Sequence, residues 1–394
     1  MSEGRGAAPH VLIVGGGGTG GALAHDLALR GLRVTLVERG EFTSGTTGRH
    51  HGLLHSGARY AVNDRESAIE CIEENQLLRR IAPGSFEEND GLFVGITDDD
   101  MAYLPGFLEG CEATGIPTQV LEPQDALRLE PLLNPDLKVA VRVPDATMDA
   151  MRMPLRFFAT ARANGADLLS WVDVVDLDIA GGVVSGARVR DLVTGRETHI
   201  GADVVVNATG PWSEQVARMA GVDVPIRPSP GVMLALEGRL CNMVINRLHA
   251  SGDGDIVVPQ RALSIVGTSS WVVEDPDDLG VPDDHVRRMV DEGSLLVPAV
   301  RDAPFRAAWS AARPLIGPED DADSGRELSR TFKTIDHAVD DGVQGFVTIT
   351  GGKGTTLRGM AEVCADVVCG KLGIDVACAT RDTVLLPHTA AYAA

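Results

Sequence analysis

The chain has 394 residues, of which 44% are hydrophobic, and a formal net charge of −21 at pH 7. This length allows one large domain or two interleaved domains with a sizeable core. The negative charge argues against nucleic acid or an anionic membrane surface as a general partner. It does not exclude an anionic substrate, because local cationic side chains set the field inside a cleft.

The N-terminal segment MSEGRGAAPH lacks the pattern of a signal peptide, and no apolar run is long enough to cross a bilayer. We therefore predict a cytoplasmic protein and leave open a peripheral contact with the inner face of the cell membrane. The six cysteines are scattered without a C-x-x-C pair. This spacing favours reduced structural thiols, and we predict no metal site.

The stretch Val11–Glu38 has the pattern of a complete βαβ unit. An apolar run predicts a buried parallel strand, and Gly15, Gly17 and Gly20 follow with G-x-G-x-x-G spacing before a helix and a second strand. The glycines permit a tight turn and a close approach of the backbone to a pyrophosphate at the helix N-terminus. Glu38 is placed to accept hydrogen bonds from ribose hydroxyls. The unit predicts a dinucleotide site, without separating FAD from NAD.

The loop 39–60 is rich in glycine, hydroxyl residues, histidine and arginine, which is typical of a segment that wraps a ligand. An ordered polar loop with hydrogen-bonded histidines is the alternative. Helical periodicity then predicts helices over 64–81, 101–114, 123–129 and 151–164, and a strand is predicted over 91–96.

Strands are predicted over 168–175, 183–190 and 196–199. The segment ADVVVNATGPW, 202–212, is a buried strand that runs into Ala208-Thr209-Gly210, where the glycine permits close approach to a bound group.

Short apolar runs between 224 and 273 predict an antiparallel sheet and hence a second domain. A helix over 283–296 and a strand over 305–312 follow. The strand 345–350 enters a second glycine-rich loop, GGKGTT, and a helix is predicted over 357–372.

The chain resembles FAD-dependent glycerol-3-phosphate dehydrogenases in the segments GGGGTGGALAHDLALRGLRVTLVER, TTGRHHGLLHSGARYAV, VVVNATGPW, DIVVP, VGTS, ARPL, SR and ITGGKGTTLR. It is most similar to the catalytic subunit of the anaerobic bacterial type, within the D-amino-acid-oxidase-like flavoprotein superfamily.

The resemblance implies an α/β fold, in which a Rossmann-like FAD-binding domain of the glutathione-reductase/D-amino-acid-oxidase type is interleaved with an antiparallel-sheet substrate domain. We expect the FAD-binding domain over 1–85, 146–223 and 305–394, and the substrate domain over 86–145 and 224–304.

The resemblance also implies FAD as the cofactor. By this resemblance, we expect Ala208–Gly210 to lie near the adenine and Gly351–Thr356 to lie at the pyrimidine end of the flavin. The residues expected to contact FAD are Gly15, Gly17, Gly18, Thr19, Gly20, Glu38, Arg39, Thr46, Thr47, Gly48, His51, Gly52, Leu53, Ala208, Thr209, Gly210, Gly351, Gly352, Lys353, Gly354, Thr355 and Thr356.

In that family sn-glycerol 3-phosphate is oxidised to dihydroxyacetone phosphate by hydride transfer to flavin N5. Arg313 and Arg330 match arginines that clamp the phosphate, for which a planar guanidinium offers paired donors. Arg59, Tyr60 and Lys353 are further candidates for binding the substrate. A salt bridge from Arg313 to one of the acids at 319–323 is the structural alternative.

The alcohol proton requires a base, and the pKa of a neutral histidine suits that role near pH 7. His55 is our first choice, and His51 is the second. A histidine that only forms hydrogen bonds to flavin or backbone is the alternative.

Several departures from the family leave the substrate open. A Lys-Gly-Ser segment is common in the family, where this chain has Pro230-Gly231-Val232-Met233. A leucine and a tyrosine are usual where this chain has Gly354 and Leu357. An asparagine is common at the position of His50. Another phosphorylated or phosphonylated secondary alcohol, a 2-hydroxy acid or an amine are the alternative substrates. The non-enzymatic alternative is a flavin subunit that is active only in a multi-chain complex.

The electron acceptor is open as well, because the chain ends at Ala394 where the anaerobic subunit continues into a further segment. Oxygen, a quinone and a redox partner protein are the candidates. A homo-oligomer and covalent attachment of FAD are also left open.

Overall fold

The computed structural model describes residues 8–317 and 331–392. Within them, one sheet, here called the first sheet, has strands in the order Phe332–Asp336, Phe346–Gly351, Val204–Asn207, His10–Val14, Arg33–Glu38 and Asp167–Ser170. Neighbouring strands are parallel except for the edge strand Phe332–Asp336, which is antiparallel to its neighbour. This is the predicted Rossmann-like arrangement, with the fingerprint strand at its centre.

The first sheet is buried on both faces, as is usual for parallel sheets. Side chains alternate across a strand, so Val11 and Ile13 belong to one core cluster while Leu12 and Val14 belong to another. The helices on one face are Gly18–Leu29, Arg152–Ala163 and Leu357–Leu372, and the antiparallel strands on the other are Val172–Ala180, Val183–Asp191 and Glu197–Gly201. The predicted strand 168–175 is divided in two, because Trp171 has a φ of +59°.

A second sheet has strands in the order Phe305–Ile316, Ile226–Glu237, Leu263–Gly267, Ile256–Gln260, Val244–Arg247, Gly91–Gly95, Val139–Val143 and Gln119–Leu121. Its pairs are antiparallel, as expected, except that Val244–Arg247 is parallel to Gly91–Gly95. A parallel pair needs a long crossover connection, which the distance between these strands along the chain allows.

The strand Phe305–Ile316 pairs with Ile226–Glu237 along almost its whole length. The expected domain boundaries assign 305–394 to the FAD-binding domain, whereas this strand hydrogen-bonds within the second sheet. The difference arises because strand pairing is a long-range property that a local pattern does not report. The rest of the division stays a prediction.

The remaining elements are short strands and helices at the edges of these sheets. The short strands are Leu53–Leu54, Phe86–Glu87 and Ala146–Met148. The other α-helices are Arg65–Ile81, Asp98–Ala113, Pro123–Leu129, Ser213–Met219, Asp283–Leu296 and His337–Asp340, and the 3-10 helices are Thr46–Arg49, Ala58–Tyr60, Gly210–Trp212, Pro298–Arg301, Gly354–Thr356 and His388–Tyr392. Among the described helices, none has the length and apolarity needed to span a membrane.

Candidate cofactor and substrate site

A cavity of about 900 Å³ opens at the carboxyl ends of the first-sheet strands. Ligands of open α/β folds bind at this edge, because the loops that follow the parallel strands converge there. The predicted site residues that line the cavity are Gly15, Gly17, Gly18, Thr19, Glu38, Arg39, Thr46, Thr47, His51, Leu53, His55, Tyr60, Ala208, Thr209, Gly210, Arg313, Gly351, Gly352, Lys353 and Gly354. Segments from both ends of the chain therefore share one cavity.

The cavity lining does not include Gly20, Gly48, Gly52, Arg59, Thr355 and Thr356, and Arg330 lies outside the described residues. Some of these residues support the lining from behind. The Thr355 hydroxyl oxygen accepts from the His55 N–H at 3.0 Å. A Cβ at Gly20 would lie 2.0 Å from the carbonyl oxygen of Gly15, so the glycine allows helix and strand to pack closely.

The fingerprint segment has the geometry of a phosphate and ribose site. Gly15 has a φ of +109°, and a Cβ there would lie 2.6 Å from the carbonyl oxygen of Ala208. No side chain therefore covers the backbone at Gly15. The helix Gly18–Leu29 begins just after this turn, and its N-terminal N–H groups and positive dipole end can interact with a phosphate there. Glu38 accepts from the N–H groups of Gly16 and Gly40 at 2.7 and 2.8 Å, which fixes its carboxylate at the cavity wall.

The end of the cavity beside Arg39 contains residues that the sequence did not single out. Arg39 lies over the ring of Trp212, at 4.5 Å from the centroid, and donates a hydrogen bond to Asp277 at 3.0 Å. Asp277 and Leu279 line the cavity and belong to residues 268–282, here called the connecting loop, between the second sheet and the helix Asp283–Leu296. The connecting loop therefore reaches from the second sheet to the fingerprint unit.

Three histidines stand in a row along the cavity. The ring centroids of His50 and His51 are 6.1 Å apart, and those of His51 and His55 are 5.9 Å apart. Burial lowers the pKa of His50 to about 4. Burial also lowers the pKa of His51 well below its usual value, and the nearby charges of His55, His50, Arg313 and Arg59 lower it further. His50 and His51 are consequently neutral near pH 7.

Backbone hydrogen bonds determine the tautomers of two of these rings. His50 Nδ1 accepts from the Gly52 N–H at 2.9 Å, and His51 Nδ1 accepts from the Leu53 N–H at 3.2 Å. A neutral imidazole that accepts at one nitrogen carries its proton on the other. Both rings therefore present an Nε2–H donor rather than a basic nitrogen.

Arg313 brings a guanidinium to the cavity that neighbouring backbone oxygens hold in place. Nη1 donates to the Ser229 carbonyl at 3.3 Å, and Nη2 donates to the Ser269 carbonyl at 3.3 Å and to the hydroxyl of Thr268. A Cβ at Gly231 would lie 2.6 Å from Nη2, so the guanidinium occupies the space beside this glycine.

The segment that departs from the family, Pro230–Met233, lies inside the buried strand Ile226–Glu237 and is absent from the lining residues. The Pro230 carbonyl oxygen accepts from Arg313 at 3.5 Å, and Val232 and Met233 pack in apolar clusters, so this segment lies behind the cavity wall. His50, Gly354 and Leu357, the other departures, do line the cavity.

Lys353 supplies a second cation. Its ammonium donates to the Ser67 hydroxyl at 2.9 Å, lies 3.7 Å from a Glu70 carboxylate oxygen and stands 5.2 Å from the Tyr60 ring centroid. Burial raises the pKa of Glu70, while the Lys353 charge opposes this rise. The lysine side chain is only 6% exposed, so its position is tightly defined.

Arg59 forms a buried ion pair behind the cavity lining, and its contact with the substrate stays a prediction. Its guanidinium forms an ion pair with the buried carboxylate of Asp255, with Nη2 at 2.6 and 2.7 Å from the two oxygens. Burial alone would raise the pKa of Asp255, but the charge of Arg59 and hydrogen bonds from His249, Arg59 and Gly252 hold it well below its usual value. Arg59 thus connects the segment before Tyr60 to the strand that begins at Ile256.

Taken together, the fold and the cavity define a dinucleotide-dependent oxidoreductase, with neutral histidines and fixed cations beside the cofactor-binding edge. A family model described as DAO, FAD dependent oxidoreductase, matches residues 10–365. The chain belongs to this family, and its cofactor is FAD.

The comparisons with individual proteins agree with this assignment. The chain is 44% identical over 377 residues to a subunit of the anaerobic glycerol-3-phosphate dehydrogenase of Escherichia coli strain K12, covering 95% of this chain and 69% of the relative. It is 45% identical over 387 residues to a subunit of the anaerobic glycerol-3-phosphate dehydrogenase of Haloferax volcanii, covering 96% and 66%. The structure of glycerol-3-phosphate dehydrogenase from Bacillus halodurans complexed with FAD has a TM-score of 0.73 at 23% identity, covering 96% and 68%. The predicted resemblance, fold class and cofactor are confirmed.

The residues of the cavity fit FAD. Glycines at 15, 17 and 18 would hold the pyrophosphate, Glu38 the ribose, and the segment 351–354 the flavin end. Cβ atoms at Gly15 and Gly351 would lie 2.6 and 2.7 Å from backbone oxygens, so the backbone at these turns has no room for a side chain. Sequence patterns missed Trp212, Asp277 and Leu279. The position of Trp212 at the end of the ADVVVNATGPW segment could have indicated that it lines the cavity. The connecting loop has no sequence pattern that could have indicated the same for Asp277 and Leu279.

Proposed function

We propose that the chain oxidises sn-glycerol 3-phosphate to dihydroxyacetone phosphate. One observation carries this proposal: the cations Arg313 and Lys353 line the same cavity as His51 and His55. A small molecule with a phosphate and a secondary alcohol can therefore contact both kinds of group at once. The names of the two curated relatives, both belonging to glycerol-3-phosphate dehydrogenases, support the choice of substrate.

The residues divide the reaction between them. FAD, when bound, supplies the hydride acceptor for the carbon that bears the hydroxyl. Arg313 and Lys353 bind the phosphate, and Arg330 stays a candidate for the same role. His55 takes the hydroxyl proton as the C–H bond breaks, because the free nitrogen of neutral His51 already carries a proton. His51 donates a hydrogen bond to the substrate oxygen and orients it.

Anaerobic mixing of the FAD-loaded protein with glycerol 3-phosphate tests the proposal. We expect loss of the flavin absorbance near 450 nm with a rate that saturates in substrate. A panel of phosphonate analogues, 2-hydroxy acids and amines, tested under the same conditions, addresses the alternative substrates. Bleaching by a carboxylate substrate but not by glycerol 3-phosphate would reject the assigned substrate while retaining the enzyme class.

We further propose that a redox partner protein takes the electrons, because the curated relatives are named as subunits of a larger enzyme. Reduced flavin should then reoxidise slowly in air and quickly with an artificial dye acceptor. Rapid oxygen consumption would instead favour an oxidase. The cytoplasmic location, the peripheral membrane contact and the homo-oligomer stay predictions.

A further inference from the structure

A second, smaller cavity of about 240 Å³ lies next to the substrate cavity and has no part in the proposed reaction. Met148 lines both cavities. The polar and charged residues of the second cavity are Ser85, Glu87, Thr147, Asp149, Arg152, Arg156, Gln260, Arg261 and His388.

Arg156 is a buried cation for which residues 8–317 and 331–392 provide no counter-ion. Its side chain donates to the carbonyl oxygens of Pro83, Leu385 and Leu386 and to the hydroxyl of Ser85, at 2.6 to 3.1 Å. All four acceptors are neutral, and no carboxylate of the described residues forms an ion pair with Arg156. The residue is only 9% exposed, and burial lowers the pKa of its guanidinium. A buried charge is normally compensated by an opposite charge.

The acids around the cavity are already engaged by other arginines. Arg152 and Arg261 share the carboxylate of Asp149, at 3.6 and 3.1 Å. Glu87 pairs with Arg239 at 2.7 Å. In the described part of the chain the arginines at this cavity therefore exceed the acids, and the excess includes the buried charge of Arg156.

We propose that the second cavity is a binding site for a small oxyanion, with inorganic phosphate as its simplest ligand. The volume is ample for a hydrated phosphate ion. The arginines supply the charge, and the Thr147 hydroxyl, the Gln260 amide and the His388 ring offer polar groups at the wall. The site goes beyond the proposed function and does not depend on the identity of the substrate.

Gln260 joins this site to the catalytic cavity. Its Nε2 donates to the carbonyl oxygens of Met148 at 3.0 Å and of His51 at 3.1 Å. Gln260 also lines the second cavity, so an anion bound there would lie beside the side chain that supports the His51 peptide. We expect an anion bound in the second cavity to hold this peptide in place and so to stabilise the loop 39–60.

Phosphate titration of the FAD-loaded Arg313→Gln protein, by calorimetry and thermal unfolding, tests the site. This background removes the guanidinium that binds phosphate in the substrate cavity. We expect saturable binding of phosphate and a concentration-dependent rise in Tm, since a ligand that binds only the folded state stabilises it. Absence of both signals in this background would overturn the proposal.

Adding Arg152→Gln and Arg261→Gln should weaken this phosphate binding at least tenfold. Both side chains are more than half exposed, so the folded protein should tolerate the changes, whereas Arg156→Gln would also break its four hydrogen bonds. The matched control adds Arg301→Gln and Arg306→Gln, which remove the same charge from exposed ion pairs outside this cavity. Equal phosphate affinity in the variant with Arg152→Gln and Arg261→Gln and in the control would refute the proposed oxyanion site.

Discussion

The three cavity histidines differ in how the surrounding groups hold their rings. His50 and His51 each accept a backbone N–H at Nδ1, so a neutral ring offers a donor at Nε2. His55 is fixed differently, because Thr355 accepts from its backbone N–H and the Tyr60 ring lies 5.6 Å from its own. Proton acceptance by His55 and proton donation by His51, four residues earlier in the sequence, stay the roles that we propose.

Replacing His55 with alanine should slow anaerobic flavin reduction by about 10²- to 10⁴-fold, because a positioned base contributes this much to proton transfer. FAD content, measured by absorbance of the purified protein, should stay close to that of the wild type. His51→Ala is the comparison, and we expect it to lose mainly substrate affinity. Reduction at the wild-type rate in His55→Ala would remove His55 as the base.

Gly231→Ala should disturb Arg313, because the new Cβ would lie 2.6 Å from Nη2 and 2.6 Å from the Ser269 carbonyl oxygen. A hydrogen bond to a charged group contributes about 1.5–3 kcal/mol, so KM for glycerol 3-phosphate should rise roughly 10- to 100-fold. Steady-state kinetics with a dye acceptor measures the change. Gly370→Ala is the control, as a Cβ there meets no atom within 4 Å, and a similar KM in both variants would count against this role of Gly231.

At the level of elements, an ion pair between Arg39 and Asp277 joins the connecting loop to the fingerprint unit at the cavity. Arg39 and Asp277 are about half exposed, which makes their interaction worth only about 0–1 kcal/mol and sensitive to salt. The ion pair is therefore a weak link between the connecting loop and the fingerprint unit. Asp277 lines the cofactor cavity, so we expect the pair to contribute to FAD retention.

Asp277→Asn should increase the rate of FAD release about two- to fivefold at low ionic strength, because this pair contributes at most about 1 kcal/mol. The difference from wild type should vanish near about 1 M salt, where charges are screened over about 3 Å. Recovery of FAD fluorescence after dilution gives the rate. Asp278→Asn, an exposed neighbour, serves as the control, and equal release from all three proteins would contradict a role of the pair in FAD retention.

The elements also mark the limit of what the sequence could predict. The helices Asp283–Leu296 and Leu357–Leu372 have the predicted bounds, because periodicity and termini are local signals. The helix Asp98–Ala113 begins earlier than predicted, since Thr97 and Asp100 form a capping box that the pattern analysis missed. The two glycine motifs and the loop 39–60 allowed most of the cavity lining to be predicted from the sequence. The partners of Arg39 and Arg59, Asp277 and Asp255, are remote in sequence and carry no local signal.

For the whole molecule, acid sensitivity should depend on a histidine far from the reaction. His25 is fully buried, lies 5.9 Å from the Phe157 ring centroid, and has no hydrogen-bond partner for its ring nitrogens among residues 8–317 and 331–392. Burial lowers its pKa to about 4. The unfolded chain binds a proton near pH 6.5 and the folded chain does not, so stability is full above this pH and falls as pH drops towards 4.

His25→Leu should remove this component, which amounts to about 3 kcal/mol between pH 7 and pH 4. Urea unfolding of wild type and variant at several pH values, with the same excess of FAD, measures it. As pH falls, the free energy of unfolding should decrease less in the variant than in the wild type. His199→Gln, at an exposed position, should follow the wild type, and parallel curves for all three proteins would show that His25 does not titrate in this way.

The cofactor cavity takes its walls from residues near 15 and from residues near 351, so these two parts of the wall are synthesised more than 300 residues apart. A nascent chain still lacking the second glycine loop has the fingerprint but not the flavin end. Assembly of the complete cofactor cavity consequently requires that the ribosome has delivered both glycine-rich segments. Yellow colour in a preparation thus reports chains in which both segments are present and correctly assembled.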